Sequence, residues 1–524
     1  MDQNSIVTIA EIQKAEKITF NTEKKLNSAI ENAGLIIAQE ASINANYNEE
    51  LNVLILVGPG NNGSDALVAA RLLAEWGAIV SIFLLKKRND LSKFLKKIEN
   101  KIKFIEVISK ISSIQQQKIM RQSHCIIDGL YGIGWDLDRK ESKLNKIGEQ
   151  LIKRVNNNKK FILSIDIPSG INANTGQAAK NTIFADITVT FGALKIGMTQ
   201  EPALSHAGNI IVENLGIDKN IKKNTAKIIS LDKSIIKPLI RKKASHKGNF
   251  GKLLIIAGSR QYPGAAILTC ESALIAGTGL IKLFSTKFVQ QTTVIKIPEI
   301  THSHTQNGEY LNMASYEEFV ENINNFDAII LGPGISQNKS TIDLMIKIID
   351  FLRKNPSSPP VVIDADGLNI LSQIKKWPIK LSKKFILTPH VGEMAGLMNI
   401  STKKVNNNRL SISKELAKKT NSIILLKGSG TILTNGKEIL ISNKSIPALA
   451  TAGTGDILSG LIGGFIAQGI SPMNAASTAI YFHAESGILA QKDIGEISSK
   501  ASDLFRYLPQ AINQITENNN KKIL

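Results

Sequence analysis

Short apolar runs that end in glycine, proline, aspartate or histidine, and then give way to amphipathic helical stretches, recur along almost the whole of this 524-residue chain. The clearest is Asn52-Val53-Leu54-Ile55-Leu56-Val57, which runs into a glycine-rich turn and then a helical pattern over about 66–76. A continuous apolar run must be covered on both faces, and a helix between successive runs supplies the cover. The alternation therefore commits the chain to parallel sheets with helices on both sides. Further strands are expected at 80–85, 125–128, 161–165 and 187–191.

After Leu215-Gly216 the chain turns polar and lysine-rich through Lys233, and Arg241-Lys242-Lys243 follows. The alternation restarts at 252–257 and continues through 328–331, 361–363, 385–387 and 423–426. At roughly 150 residues per domain the length allows more than one core, and the composition break places a boundary near residue 220. The expected fold class is α/β, with two three-layer α/β/α domains spanning 1–220 and 221–524. In open sheets of this kind ligands sit beyond the carboxyl ends of the strands, so the strand ends are where chemistry is sought.

Composition narrows the partners. A hydrophobic fraction of 43% with 21% charged residues is that of a globular protein. The net charge of +20 suggests nucleic acid, but lysines are dispersed among Asn and Ile and aromatic residues make up only 5%, so no nucleic-acid partner is expected. Cys125 and Cys270 stand far apart without metal-ligand spacing, which excludes a disulfide framework. The opening residues include Asp2, Glu11 and Glu16 and lack a basic stretch followed by an apolar run, so no signal peptide is expected. No apolar segment approaches ~18 residues, which argues against a membrane span, and the cytoplasm is the expected compartment.

Three strand ends in the first half carry ligand-binding chemistry. Val57-Gly58-Pro59-Gly60-Asn61-Asn62-Gly63-Ser64-Asp65 joins a strand to a helix, where glycines permit close approach, N–H groups attract phosphate and Asn or Asp side chains can ligate a cation. Asp128 precedes the glycine loop Gly129-Leu130-Tyr131-Gly132-Ile133-Gly134, and Asp166 precedes Ile167-Pro168-Ser169-Gly170. Each also reads as an ordinary capped turn, but three ends able to converge above one sheet favour a ligand site. Together with Glu31-Asn32-Ala33-Gly34 and Asn174-Thr175-Gly176, these residues resemble the NAD(P)H-hydrate epimerase family. The resemblance implies a Rossmann-like domain that interconverts the R and S hydrates at nicotinamide C6 and binds potassium. It implies that Asn62, Asp128 and Ser169 hold the ion, and that Asn61, Asn62, Gly63, Ser64, Asp65, Gly132, Ile133, Gly134, Trp135, Asp136, Leu137, Asp138 and Asp166 hold the substrate, with Asp166 catalytic. Ser64 and Ala66 stand where that family has glycines, and Ile133 where it has Thr; side chains added there are expected to crowd a backbone that must approach a phosphate.

In the second half the strongest motif is Ala452-Gly453-Thr454-Gly455-Asp456, set in a run of small residues. A glycine turn opening a helix aims several N–H groups at one point, and an adjacent carboxylate can accept a hydroxyl proton as that oxygen attacks phosphorus. Asp456 is the candidate base, although Asp is also a favoured N-cap. Lys427-Gly428-Ser429-Gly430-Thr431 precedes a hairpin turn expected at Asn435-Gly436 and suits an anionic phosphate. Gly332-Pro333-Gly334, Asp364-Ala365-Asp366-Gly367 and Pro389-His390-Val391-Gly392-Glu393 complete a ring of strand ends.

With His246-Lys247-Gly248, Ala257-Gly258-Ser259 and Pro263-Gly264-Ala265-Ala266, this half resembles the ADP- or ATP-dependent NAD(P)H-hydrate dehydratases of the ribokinase-like superfamily. Ala257 and Val391 are mild departures, standing where that family usually has glycine and proline. The resemblance implies that Lys427, Gly428, Ser429, Gly430, Thr431 and Gly455 bind nucleotide, and that Ala265, Gly334, His390 and Asp456 contact the hydrate. It also implies ADP as co-substrate and the hydrates NADHX and NADPHX as substrates; Mg2+ is expected because phosphoryl oxygens need neutralising, and a homo-oligomer is expected. A ribokinase-type small-molecule kinase, or a dehydratase with a non-catalytic N-terminal binding module, stays open at this point.

Overall fold

The structure, a computed structural model of the chain, describes residues 5–45, 50–95, 101–134, 146–217, 220, 221, 228–231, 236, 244–303 and 308–520. Contacts divide it into two compact units, Met1–Ile228 and Ile229–Leu524.

The first unit is built on seven strands, β1 Asn52–Val57, β2 Ile79–Leu84, β3 Phe104–Val107, β4 Cys125–Gly129, β5 Phe161–Ile165, β6 Ile187–Phe191 and β7 Asn209–Glu213. All pair in parallel, in the order β3-β2-β1-β4-β5-β6-β7. Val53, Ile55 and Val57 of β1 pack with Ile37, Leu67 and Ala70 on one face, while Leu54 and Leu56 pack with Met120, Leu151 and Val155 on the other. Strand alternation thus buries both faces under helices Glu23–Asn44 and Asn61–Glu75 on one side and Ser113–Gln122 and Lys146–Asn157 on the other. The sheet order reverses between β1 and β4, where open sheets place their ligands.

Helix Asn61–Glu75 begins several residues before the helical pattern near 66. The Asn-Asn-Gly-Ser-Asp run has poor propensity for a helix interior, but Asn, Asp and Gly are at home in a first turn. An earlier helix, Ile9–Thr19, is closed at its N-terminus by a capping box between Thr8 and Glu11 and held down by buried Ile12 and Ala15.

The second unit carries a ten-stranded sheet of β8 Ile228–Ser230, β9 Lys252–Ile256, β10 Leu280–Phe284, β11 Thr301–His302, β12 Ala328–Leu331, β13 Val361–Ile363, β14 Phe385–Leu387, β15 Ile423–Leu426, β16 Ile432–Thr434 and β17 Ile439–Ile441. Its order is β8-β17-β16-β15-β14-β13-β12-β9-β10-β11, and β16 runs antiparallel to both neighbours around the Asn435-Gly436 turn. Leu253, Ile255, Ile330 and Leu425 join a cluster with Phe465 and Ile480, while the alternate residues Leu254, Ile256, Ile329 and Leu331 are buried as well. Helix Thr454–Ala467 lies tight against helix Pro263–Ile275: a Cβ at Gly460 would fall 1.9 Å from Ser272 Oγ.

Candidate active sites

In the first unit the chemistry gathers at the carboxyl ends of β1, β4, β5 and β6. Gly58 leaves β1 so close to the neighbouring loop that a Cβ would sit 1.8 Å from the Leu130 carbonyl oxygen. Gly60 is the N-cap of the following helix and makes no side-chain cap bond, which leaves the first-turn N–H groups for an anion. Arg88, for which the sequence offered no signal, braces this turn by donating to Gly58 O at 2.7 Å, Gly60 O at 3.2 Å and Ser64 Oγ at 2.9 Å. Ser64 is therefore turned inward to Arg88, and Ala66 is buried against Gly129. The crowding expected from these two side chains does not arise, because both point into the protein.

A cavity of about 340 Å3 joins Asn61, Asn62, Asp65, Ile133 and Asp166 to Glu16, Phe20 and Phe191. Gly63, Ser64, Gly132 and Gly134 are not among its lining residues; Gly132 backs it instead, a Cβ there falling 2.5 Å from Asn62 Oδ1, and Gly63 packs against Gly58 and Arg88. Trp135, Asp136, Leu137 and Asp138 lie outside the described residues.

Asp166 stands at the end of β5 with φ of +65°, a conformation that a non-glycine residue holds only when its surroundings impose it. Its carboxylate forms a buried ion pair with Lys195 and accepts from Thr190 Oγ1 at 3.1 Å. Lys195 was not singled out by its sequence; the only hint is a lysine just past the apolar run at 187–191. It also donates to Thr190 Oγ1 and to Phe191 O, both at 2.9 Å. Burial, then the Asp166 charge, pushes the Glu16 carboxyl up to about 7 against the opposing pull of Lys195. Burial, followed by Asp166 and Glu16, raises Asp65 well above the usual carboxylate range. Only Asp166 of these three carboxyls pairs with the ammonium of Lys195 among the described residues.

The expected ion-holding residues also come together. Asn62 Nδ2 donates to Ile165 O at 2.7 Å and Tyr131 O at 3.4 Å. Ser169 Oγ accepts from Tyr131 N at 3.0 Å and donates to Asp128 Oδ1 at 2.6 Å. Asp128 is fully buried and takes further bonds from Ser164 Oγ at 2.9 Å, Ser169 N at 2.8 Å and Leu130 N at 3.3 Å. Burial raises its carboxyl and these donors oppose the shift.

In the second unit Gly453, with φ of +94°, is the N-cap of helix Thr454–Ala467, so Asp456 sits at the third helical position and does not cap the helix. Its carboxyl is pushed up to about 7 by burial first, then by Asp364, with Lys427 opposing and Glu393 adding to the rise. Lys427 Nζ reaches Asp364 Oδ1 at 2.6 Å and Glu393 Oε2 at 3.9 Å, and Ser459 Oγ holds the other Asp364 oxygen at 2.7 Å. Gly455 lies under this group: a Cβ there would be 3.3 Å from Lys427 Nζ. Burial lowers the affinity of Lys427 for a proton, but Asp364 and then Glu393 outweigh it and raise that affinity overall. Asp364 and Glu393 entered the sequence reading only as parts of motifs; their convergence on Lys427, and the bond from Ser459 to Asp364, are tertiary facts.

His390 caps helix Val391–Met398, its Nδ1 accepting from Gly392 N at 2.9 Å and Glu393 N at 3.2 Å. Its Nε2 lies 3.4 Å from Glu393 Oε1, so the capping role also ties His390 to the charged cluster. A cavity of about 260 Å3 is lined by Lys427, Gly428, Ser429, Thr431, Thr454 and Gly455, with Lys444, Ile446, Leu449 and Ile480 beyond them. Gly430 is not among the lining residues. Ala265 and Gly334 are also outside that lining and pack on one another, a Cβ at Gly334 falling 2.8 Å from Ala265 Cβ. Glycine-turn N–H groups, a fixed ammonium and a carboxyl poised near neutrality can bind a phosphate and accept a proton beside it.

A family model described as NAD(P)H-hydrate dehydratase matches residues 253–510, and one described as YjeF-related protein N-terminus matches 27–197. The bifunctional NAD(P)H-hydrate repair enzyme of Moorella thermoacetica is 30% identical over 530 aligned residues, covering 98% of this chain and 97% of its own. That of Dictyoglomus turgidum is 32% identical over 487 residues, covering 90% of this chain and 91% of its own. Among solved structures, an ADP/ATP-dependent NAD(P)H-hydrate dehydratase from Bacillus subtilis, co-crystallised with ATP and Mg2+, covers 55% of this chain and 98% of its own at 25% identity, with a TM-score of 0.47.

Proposed function

The chain belongs to the bifunctional NAD(P)H-hydrate repair enzymes, and we propose that its two cavities divide the work as their chemistry suggests. Residues 1–220 interconvert the R and S hydrates of NADH and NADPH, and residues 221–524 dehydrate the S form with ADP as phosphoryl donor. An enzyme that consumes one epimer strands the other unless something interconverts them, which is the chemical reason to join the two activities.

In dehydration the hydrate hydroxyl gives its proton to Asp456 as its oxygen attacks the β-phosphorus of ADP, and AMP leaves. The phosphate ester then breaks at carbon, phosphate departs, and loss of a ring proton restores the nicotinamide double bond. The products are NAD(P)H, AMP and phosphate. Lys427 and the N–H groups around Gly455 face the charge that grows on the transferring phosphoryl group. The observation that carries this reading is the Asp456 carboxyl held near neutrality within the Lys427 cluster, beside a glycine-lined cavity.

Asp364, Glu393 and Asp456 outnumber the one lysine they surround, an excess of negative charge that suits Mg2+ arriving on the nucleotide. Bound there, Mg2+ would neutralise phosphoryl oxygens. In the first unit the oxygens of Asn62, Ser169, Asp128 and the Tyr131 carbonyl suit a large, hard cation such as K+, which would anchor a negatively charged substrate; Asp128 would exchange one of its four donors for the ion. Among the described residues no helix is long and apolar enough to cross a membrane. A homo-oligomer in the cytoplasm completes the reading, its assembly to be read by light scattering.

The test is a mixture of hydrate epimers supplied with ADP or ATP, after subtraction of spontaneous epimerisation. Full conversion with ADP supports both activities. Arrest at the S fraction leaves the dehydratase alone, and no conversion sinks the assignment in favour of a small-molecule kinase.

A further inference from the structure

Inverting the hydrate at C6 requires the C6–O bond to break and re-form on the opposite face of the ring. The ring nitrogen's lone pair can expel the oxygen only if a proton reaches it, and water returning from the other face must give a proton up. One carboxyl cannot reach both faces, so the reaction calls for two groups on opposite walls of one cavity, one protonated and one ionised.

The cavity of the first unit is lined by two carboxyls that come from separate elements. Asp166 enters from the end of β5 as the partner of Lys195. Glu16 enters from a separate element, helix Ile9–Thr19, whose buried Ile12 and Ala15 fix its orientation. Among the described residues Glu16 forms no salt bridge, whereas Asp166 holds the lysine, so the two carboxyls differ in the charge that surrounds them. The groups that bear on Glu16 are Asp166, Lys195 and Asp65, with Lys17 beside it on its own helix.

We infer that Glu16 is the second catalytic carboxyl of the epimerase, working against Asp166 across the substrate ring; the inference rests on the epimerase reading of this unit. Glu16 delivers its proton to the departing hydroxyl, the C6–O bond breaks, and water leaves behind a ring iminium. Water then adds to C6 from the other face and passes a proton to Asp166. One proton has moved from Glu16 to Asp166 and the C6 configuration has inverted; the reverse reaction exchanges the roles. The raised proton affinity of Glu16 suits the donor's part.

The experiment follows the epimer ratio by chromatography on the full-length protein with no nucleotide added, so that dehydration does not run. Glu16→Gln is expected to lower the epimerisation kcat by at least about 100-fold with KM changed less than about threefold, and Glu16→Asp to recover part of the rate. The wild-type rate should fall as pH rises through about 7, where Glu16 loses its proton, and the residual rate of Glu16→Gln should lack that limb. Dehydration of the pure S epimer with ADP, carried out by the other unit, reports that the variant is folded. A Glu16→Gln rate within about threefold of wild type, or a loss confined to KM, overturns the role of Glu16 while leaving the epimerase reading intact. A wild-type protein that does not epimerise above the spontaneous rate overturns the epimerase reading and the inference with it.

Discussion

Asp456 lies at the third position of its helix, where its side chain makes no cap bond, so capping does not account for an aspartate there. Its proton affinity follows from burial and from Asp364, offset by Lys427. As a base it works ionised, so dehydration of the S epimer is expected to rise roughly tenfold in kcat between about pH 6 and pH 8, which a pH-rate profile at saturating ADP checks. Asp456→Asn should lower that kcat by at least about 100-fold while nucleotide Kd, measured by titration calorimetry, stays nearly constant. The stability sign is opposite to the catalytic one. With a carboxyl raised from 3.8 to about 7, the folded state binds more protons than the unfolded between those values, so stability falls as pH rises through this window. Asp456→Asn should therefore raise Tm relative to wild type at pH 8 and not at pH 4.

At the scale of elements both sites are built alike, with a strand end, a glycine turn and the bare N-terminus of a helix. Gly453 needs its positive φ, and a Cβ would meet Leu268 Cδ1 at 2.5 Å. Gly453→Ala is expected to cost about 1–3 kcal/mol of stability by denaturant titration and to weaken nucleotide binding, because the first turn of the helix must shift. The strands expected from sequence all form, with bounds moved by no more than a residue, because apolar runs covered on both faces are legible in one dimension. The edge strand β3 is not, since every residue of it is only half-buried and Glu106 breaks its apolar run. The early start of helix Asn61–Glu75 was hidden for a different reason: its first turn is Asn61-Asn62-Gly63, residues of poor propensity for a helix interior.

At the scale of the whole molecule, two cavities lie in separate compact units, one lined by Glu16, Asp65 and Asp166, the other by Lys427 and the turns at Gly428 and Gly455. What passes between the two activities is a free hydrate, a stable molecule that can diffuse. A mixture of Asp166→Asn chains and Asp456→Asn chains is therefore expected to convert both epimers completely with ADP, while Asp166→Asn alone slows to the spontaneous rate after consuming the S form. Absorbance of the regenerated dihydronicotinamide would record both outcomes.

The α/β class, the division into two sheets and the loops that carry the chemistry are legible along the chain, because strand periodicity and glycine turns are local properties. Asp166 and Asp456 are legible too, each standing in a distinctive motif. What surrounds them is set by the folded arrangement. Lys195 beside Asp166, Glu16 on the wall of the same cavity, Arg88 behind the first glycine turn and Asp364 and Glu393 around Lys427 are brought in from distant positions. The charge state of a carboxyl depends on burial and on neighbours across space, and neither is written in the residues beside it.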